Sequence, residues 1–95
     1  MSVPSPSPTL TVYRRARCEL CDELDQELGA ALEDRARRGD PVPRVTQVDV
    51  ASDPELEARY GALVPVLALD GQELPLVLSG RQLRAFLDRT LPRTA

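Results

Sequence analysis

A long helical stripe held between two strand-like segments constrains this chain more than any other feature. Thr9-Leu10-Thr11-Val12-Tyr13 alternates and is β-branched, which predicts a strand. From near Cys18, the residues Leu20, Leu24, Leu28, Ala31, Leu32 and Arg35 recur at helical spacing, and Gly39-Asp40-Pro41 ends the pattern. Arg44 to Val50 returns to strand character. A strand, a helix and a second strand in this order make a right-handed crossover, with the two strands parallel in one sheet.

The remainder completes that sheet. Ser52-Asp53-Pro54-Glu55 predicts a helix start, with a capping side chain, an early proline and an acidic first turn. Leu56, Tyr60 and Leu63 give this helix its apolar side, and Gly61 its stop. Pro65 to Leu69 is a continuous apolar run, suited to a strand covered on both faces. Asp70-Gly71 predicts a hairpin turn, and Leu74 to Leu78 the returning strand. Pro75 cannot donate to a ladder, which puts that strand at a sheet edge. Ser79-Gly80-Arg81-Gln82 opens a last helix with a capping box, and Leu83, Phe86, Leu87 and Leu91 form its stripe. The expectation is an α/β domain over residues 9–91 of order β-α-β-α-β-β-α. It is a four-stranded mixed sheet with helices on both faces. Residues 1–8, rich in Ser and Pro, read as a disordered tail, and 92–95 as a short tail.

Composition narrows the function classes. A chain of 95 residues with 42% hydrophobic content builds one modest core. It has no Trp and one Phe, too few aromatics for a base-stacking platform. The net charge is −3, and all 12 basic residues are Arg. Such a chain has no overall attraction for nucleic acid or an anionic membrane. The longest apolar run, Ala62 to Leu69, is short of a membrane span and contains Pro65. The N-terminus lacks the basic start and apolar core of a signal peptide. The expected location is therefore cytoplasmic, where a structural disulfide does not persist. The chain is expected to act as a monomer.

The two cysteines, Cys18 and Cys21, stand where the first strand gives way to the first helix. A helix N-terminus exposes unpaired N–H groups and a partial positive charge, both of which favour a thiolate. The thiolate is the nucleophile of disulfide exchange. Cys18 is placed at or just before the first helical residue, with its sulfur toward the loop and solvent. Cys21 falls one turn deeper on the same face, positioned to attack a mixed disulfide on Cys18. Arg14, Arg15 and Arg17 act to lower the pKa of Cys18, and Glu19, Asp22 and Glu23 to raise it. The balance points below the roughly 8.5 of a free thiol, without reaching the low end of the range of about 3.5 to 7.5 seen at helix starts.

Other readings of the pair compete. Structural zinc wants four N or S ligands, and two Cys with no His supply them only across a dimer, so no metal site is assigned. A staple closing four residues constrains little of the unfolded chain. Two small side chains packed in a core remain the third reading. The position beside a β-α-β pattern favours redox chemistry over all three. Asp49 is either a proton acceptor behind the cysteines or a cap of the loop that follows. The run Arg35-Ala36-Arg37-Arg38 reads as the basic C-terminal turn of a helix rather than a nucleic-acid patch.

Val12-Tyr13-Arg14-Arg15-Ala16-Arg17-Cys18-Glu19-Leu20-Cys21-Asp22 resembles the active-site segment of glutaredoxins. It is closer still to an uncharacterised group of bacterial glutaredoxin-like proteins. Val48-Asp49-Val50, Asp53-Pro54-Glu55-Leu56, Tyr60-Gly61, Val64-Pro65-Val66-Leu67 and Asp70-Gly71 also fit that group, so the resemblance spans residues 9–91. It implies the thioredoxin/glutaredoxin fold and a thiol–disulfide oxidoreductase, with Cys18 as nucleophile and Cys21 as resolving residue. Protein disulfides or glutathione mixed disulfides are the implied substrates. No cofactor is implied beyond glutathione as a reductant. The resemblance further implies a cis peptide between Val64 and Pro65, with the Val64 backbone offered to a substrate peptide. Read alone, Pro65 is an ordinary strand-opening proline in trans. Arg15 matches a basic residue that pairs with a glutathione carboxylate, and the helix start at Ser79-Gly80 matches the place of the γ-glutamyl end. Four positions depart from the glutathione-using pattern. Glu19-Leu20 replaces Pro-Tyr between the cysteines, Ala16-Arg17 replaces the preceding Pro-Gly, Leu63 stands where Thr is common, and Ser79-Gly80-Arg81 replaces Gly-Gly-Asp. The alternative function is a redox-sensing or protein-binding module on the same fold, without turnover.

Overall fold

Alternation in two central strands sets the layers of the structure, a computed structural model that describes residues 8–91. The elements are β1 (Thr9–Arg14), α1 (Glu19–Arg38), β2 (Arg44–Asp49), α2 (Pro54–Tyr60), β3 (Val66–Leu69), β4 (Gln72–Leu74) and α3 (Gly80–Thr90), with a short 3₁₀ turn at Val50–Ser52. The sheet order is β2-β1-β3-β4. β1 pairs in parallel with β2, from Thr9 opposite Arg44 to Arg14 opposite Asp49. β3 runs antiparallel to both β1 and β4. This is the expected mixed sheet, and β4 is at its edge. Of the expected tails, 1–8 and 92–95, residues 1–7 and 92–95 lie outside the described residues. Pro8 belongs to the folded part, because its carbonyl accepts from the Arg44 N–H at 2.9 Å.

Leu10 and Val12 of β1 and Leu67 and Leu69 of β3 point to one face. There they meet Leu24, Leu28 and Ala31 of α1 and Leu83, Phe86 and Leu87 of α3. Tyr13 and Val66, one position out of phase, face the other side and pack with Leu56 and Tyr60 of α2. The period of two in the strands thus separates a large core under α1 and α3 from a small one under α2. Each fully buried Leu, Val or Phe contributes about 1.5–3 kcal/mol.

Local chemistry fixes the element ends. Gly39 takes a positive φ of 78° and its N–H donates to the Ala36 carbonyl, while Asp40 N–H reaches that of Arg35. These two bonds satisfy the last turn of α1 in a conformation that glycine adopts freely. Asp53 caps α2 through the Glu55 N–H at 2.9 Å. Asp49 is an exposed cap, not a buried acceptor: its carboxylate takes the Ala51 N–H at 2.9 Å.

Three sequence expectations need correction. The returning strand is Gln72–Leu74 rather than Leu74–Leu78. Asp70 and Gly71 both have positive φ, and Leu69 pairs with Gln72, so the strand restarts directly after a two-residue turn. Pro75 then denies the ladder a donor, and Leu76 bends the chain at φ 51°. Leu20 is 47% exposed instead of lying on the buried stripe, because the first turn of α1 overhangs the core, which begins at Cys21 and Leu24. Leu63 is likewise exposed, in the turn that follows α2.

Candidate active site

The chain enters α1 through a sharp reversal. Arg17 sits at φ 56°, a left-handed conformation that disfavours a side chain. This is the position where the resembling pattern carries Gly, so the departure leaves the backbone shape in place at a local cost. Cys18 follows in an extended conformation as the N-cap residue of α1. Its Sγ accepts the Cys21 N–H at 3.1 Å. Cys18 is partly exposed, whereas Cys21, one turn on, is fully buried at 0%. The two are joined in a disulfide with Cα atoms 5.2 Å apart.

Strand pairing brings the third sequence segment to the same end of the sheet. Tyr13 lies opposite Val66 in the antiparallel β1–β3 pair, so Arg14 and Arg15 leave the sheet where Val64 and Pro65 enter it. The Val64–Pro65 peptide bond is cis. Pro65 is buried, and its carbonyl accepts the Val77 N–H at 3.1 Å. The Leu63 carbonyl accepts the Leu76 N–H at 2.9 Å. These bonds carry the chain after β4 past the Val64–Pro65 turn and into α3. Ser79 caps α3 through the Gln82 N–H at 3.2 Å, and Gln82 Oε1 takes the Leu78 N–H at 2.9 Å. The capping box is thus closed one residue further back than the ideal pattern.

A groove of about 200 Å³ separates the first two turns of α1 from this segment, with Leu20, Glu23 and Glu27 on one wall and Val77, Leu78 and Gly80 on the other. The fold therefore gathers Cys18, Cys21, Arg15, Val64, Pro65, Ser79 and Gly80 toward one end of the molecule.

The basic loop is neutralised by the chain itself. Arg14 pairs with Asp22 at 2.7 Å and also with Asp25. Hydrogen bonding to Asp22 holds its guanidinium above the usual arginine range. Arg15 is held by both oxygens of Glu57 and by the Gly61 carbonyl at 2.9 Å, and hydrogen bonding to Glu57 raises it likewise. Gly61 lies against that guanidinium: a β-carbon there would stand 2.8 Å from Arg15 Nη2. Of the three arginines in this loop, Arg14 and Arg15 are thus paired, and Arg17 makes no ion pair among the described residues. Sequence reasoning missed Glu57 and Glu27 as neighbours of the site. Glu57 is 42 positions from Arg15, and only the fold joins them. Glu27 carried a weak signal, since it shares a helix face with Leu20 and Glu23. Among the described residues no group of three or more His, Cys, Asp or Glu is placed to hold a metal ion. No helix among them is long and apolar enough to cross a membrane.

A β2-β1-β3-β4 sheet with a C-x-x-C pair where β1 hands over to α1, and a cis-proline turn at the same end, is the arrangement of the thioredoxin-like class. Within that class the chain belongs to the glutaredoxin-like domain family (DUF836), whose profile matches residues 9–89. It is 37% identical to protein XcR50 from X. campestris, matching the X-ray structure over 84% of this chain and 96% of that one with a TM-score of 0.68. The solution structure of the same protein matches at 36% identity over 90% and 97%, with a TM-score of 0.66. Protein Ne2328 from Nitrosomonas europaea, 22% identical, shares the fold over 90% of this chain and 98% of that one, with a TM-score of 0.63. No curated protein matches the chain. The family and the cysteine pair together support a thioredoxin-like redox role.

Proposed function

We propose that this protein is a dithiol–disulfide oxidoreductase, with Cys18 as the attacking thiolate and Cys21 as the resolving thiol. The observation that carries this reading is the asymmetry of the pair. Cys18 is partly exposed at a helix cap and Cys21 is fully buried one turn away. In the reduced protein, the Cys18 thiolate attacks one sulfur of a substrate disulfide. A mixed disulfide forms on Cys18, the substrate S–S bond breaks, and the leaving thiolate takes up a proton. Cys21 then gives up its proton and attacks Cys18 Sγ. The Cys18–Cys21 bond forms and the second substrate thiolate departs. Two electrons have passed from the protein to the substrate. An external thiol, such as glutathione or a dithiol, returns the pair to the reduced state.

The remaining site residues serve binding. The Val64 backbone offers a strand-like edge to a substrate peptide beside the buried Pro65. Arg15 braces the Val64–Pro65 turn through Gly61, and Ser79 and Gly80 form the far wall of the groove. Substrates in this reading are protein disulfides or glutathione mixed disulfides, handled by a monomer in the cytoplasm without a bound cofactor.

The test is reduction of insulin or of a small mixed disulfide under a dithiol or glutathione supply. Cys18→Ser is expected to fall to the rate without protein, while Cys21→Ser accumulates a covalent adduct on Cys18 visible by mass spectrometry. Wild-type turnover in Cys18→Ser overturns the reading. Internal neutralisation of Arg14 and Arg15 favours one second reading, a slow redox sensor. In that case oxidation changes partner affinity and the dithiol is not turned over.

A further inference from the structure

The charged side chains that line the groove between α1 and the segment entering α3 are both carboxylates, Glu23 and Glu27. A helix start such as that of α3 is a natural place for an anion, with free N–H groups and the positive end of the helix dipole. Here the chain's own Glu27 carboxylate lies against Gly80, in the first turn of α3, where a β-carbon would collide with its Oε2. Of the three arginines in the loop before Cys18, Arg14 and Arg15 are bonded to Asp22, Asp25 and Glu57, and Arg17 makes no ion pair among the described residues. Exposed leucines and carboxylates are what the groove presents. Leu20 and Leu78 both line it, at 47% and 60% exposure, with Glu23 and Glu27 on the same helix as Leu20. Leu76 and Leu63, joined through their backbones, extend the apolar surface on the Val64–Pro65 side.

We propose that this groove selects protein disulfides whose cysteine is flanked by apolar and basic residues, and that Glu27, lying against Gly80, sets this preference by turning the groove acidic. The inference rests on the oxidoreductase reading and names its substrate class. Leucines at both walls give an apolar peptide a surface to bury. Glu23 and Glu27 attract a neighbouring Arg or Lys of that peptide and repel a carboxylate. Glutathione, a small anion, loses both contacts: it has little apolar surface, and Glu23 and Glu27 repel its carboxylates. Each solvent-facing charge pair of this kind shifts affinity by about two- to fivefold at low salt. Two such carboxylates give a preference on the order of tenfold between a cationic and an anionic peptide, and salt screens it.

The experiment uses the full chain in its reduced form, regenerated by dithiothreitol. Its substrates are three symmetrical peptide disulfides of sequence Leu-X-Cys-X-Leu, in which X is Arg, Gln or Glu, together with glutathione disulfide. The electron and proton balance is that given above, with dithiothreitol as the final donor of two electrons. kcat/KM is expected to fall from the Arg to the Gln to the Glu peptide, with about tenfold between the extremes at low ionic strength and less than about twofold in 0.5 M salt. Glutathione disulfide should rank with the Glu peptide. Glu27→Gln, on an exposed helix position, should shrink the Arg-to-Glu span to about threefold and improve glutathione disulfide by a similar factor, chiefly through KM. Leu78→Ser should raise KM for all three leucine peptides alike. Equal rates for the three peptides, a preference for the Glu peptide, or an unchanged span in Glu27→Gln would each overturn the inference while leaving oxidoreductase activity standing. Absence of turnover with every substrate overturns the oxidoreductase reading and this inference with it.

Discussion

Arg35 shows how far a single position can be read before its partners are known. Its place on the apolar stripe of α1 marks it for burial, and the last helical turn favours its charge. The structure reconciles the two: the side chain is 2% exposed, with Nε donating to the Pro41 carbonyl at 2.9 Å and Nη1 to Asp88 at 3.1 Å. Asp88 lies 53 positions away on α3, and no local pattern announces it. Arg35→Ala removes these bonds and leaves a void between α1 and α3. Because Asp88 is partly exposed and can rehydrate, the expected loss is about 2 kcal/mol rather than the larger cost of stranding a buried charge. Urea unfolding of the variant checks this. The cysteines were the opposite case: their type, spacing and position on the chain were all legible, because a helix N-cap is a local feature.

Among the elements, α2 is anchored by one aromatic contact. Tyr60 stacks on Tyr13 with ring centroids 4.2 Å apart, and Arg59 lies over its ring at 5.1 Å. Burial first, and the neighbouring Glu73 second, push the Tyr60 hydroxyl up from 10.0 to about 12. A folded pKa raised above the unfolded one means that the fold holds the proton more tightly. The stability associated with it is fully present below about pH 10 and is lost as pH rises toward 12. Alkaline unfolding of the wild type should therefore steepen across this window, with tyrosinate absorbance appearing late, and Tyr60→Phe should remove that dependence. An unchanged pH profile in Tyr60→Phe would show that another group controls alkaline unfolding. The helical pattern identified Tyr60 as inward-facing. It also placed Leu20 and Leu63 inward, and both are exposed. Periodicity reports which face of an element a residue shares, not whether a neighbouring layer extends far enough to cover it. The β4 boundary failed for a related reason: 74–78 has strand-like composition, but the two-residue turn and Pro75 spend the pairing by Leu74.

For the whole molecule, the disulfide is not what holds the fold together. It closes a loop between residues three apart in sequence, while the core is built from Leu, Val and Phe on all three helices and the two central strands. Reduction should change the unfolding free energy by less than about 2 kcal/mol, measured by thermal denaturation with and without a dithiol. Collapse of the fold on reduction would make the bond structural and count against a redox cycle. The sequence alone determined the order of elements, the strand-to-helix position of the cysteines, the helix caps and the hairpin, since each depends on residues within a few positions of one another. Only the tertiary structure decided which charges remain free around Cys18. Glu57 reaches Arg15 from α2, Asp25 reaches Arg14 from the second turn of α1, and Glu27 lies against Gly80 of α3. Electrostatics acts through space between groups distant in the chain, so the character of the groove is set where the packed elements meet.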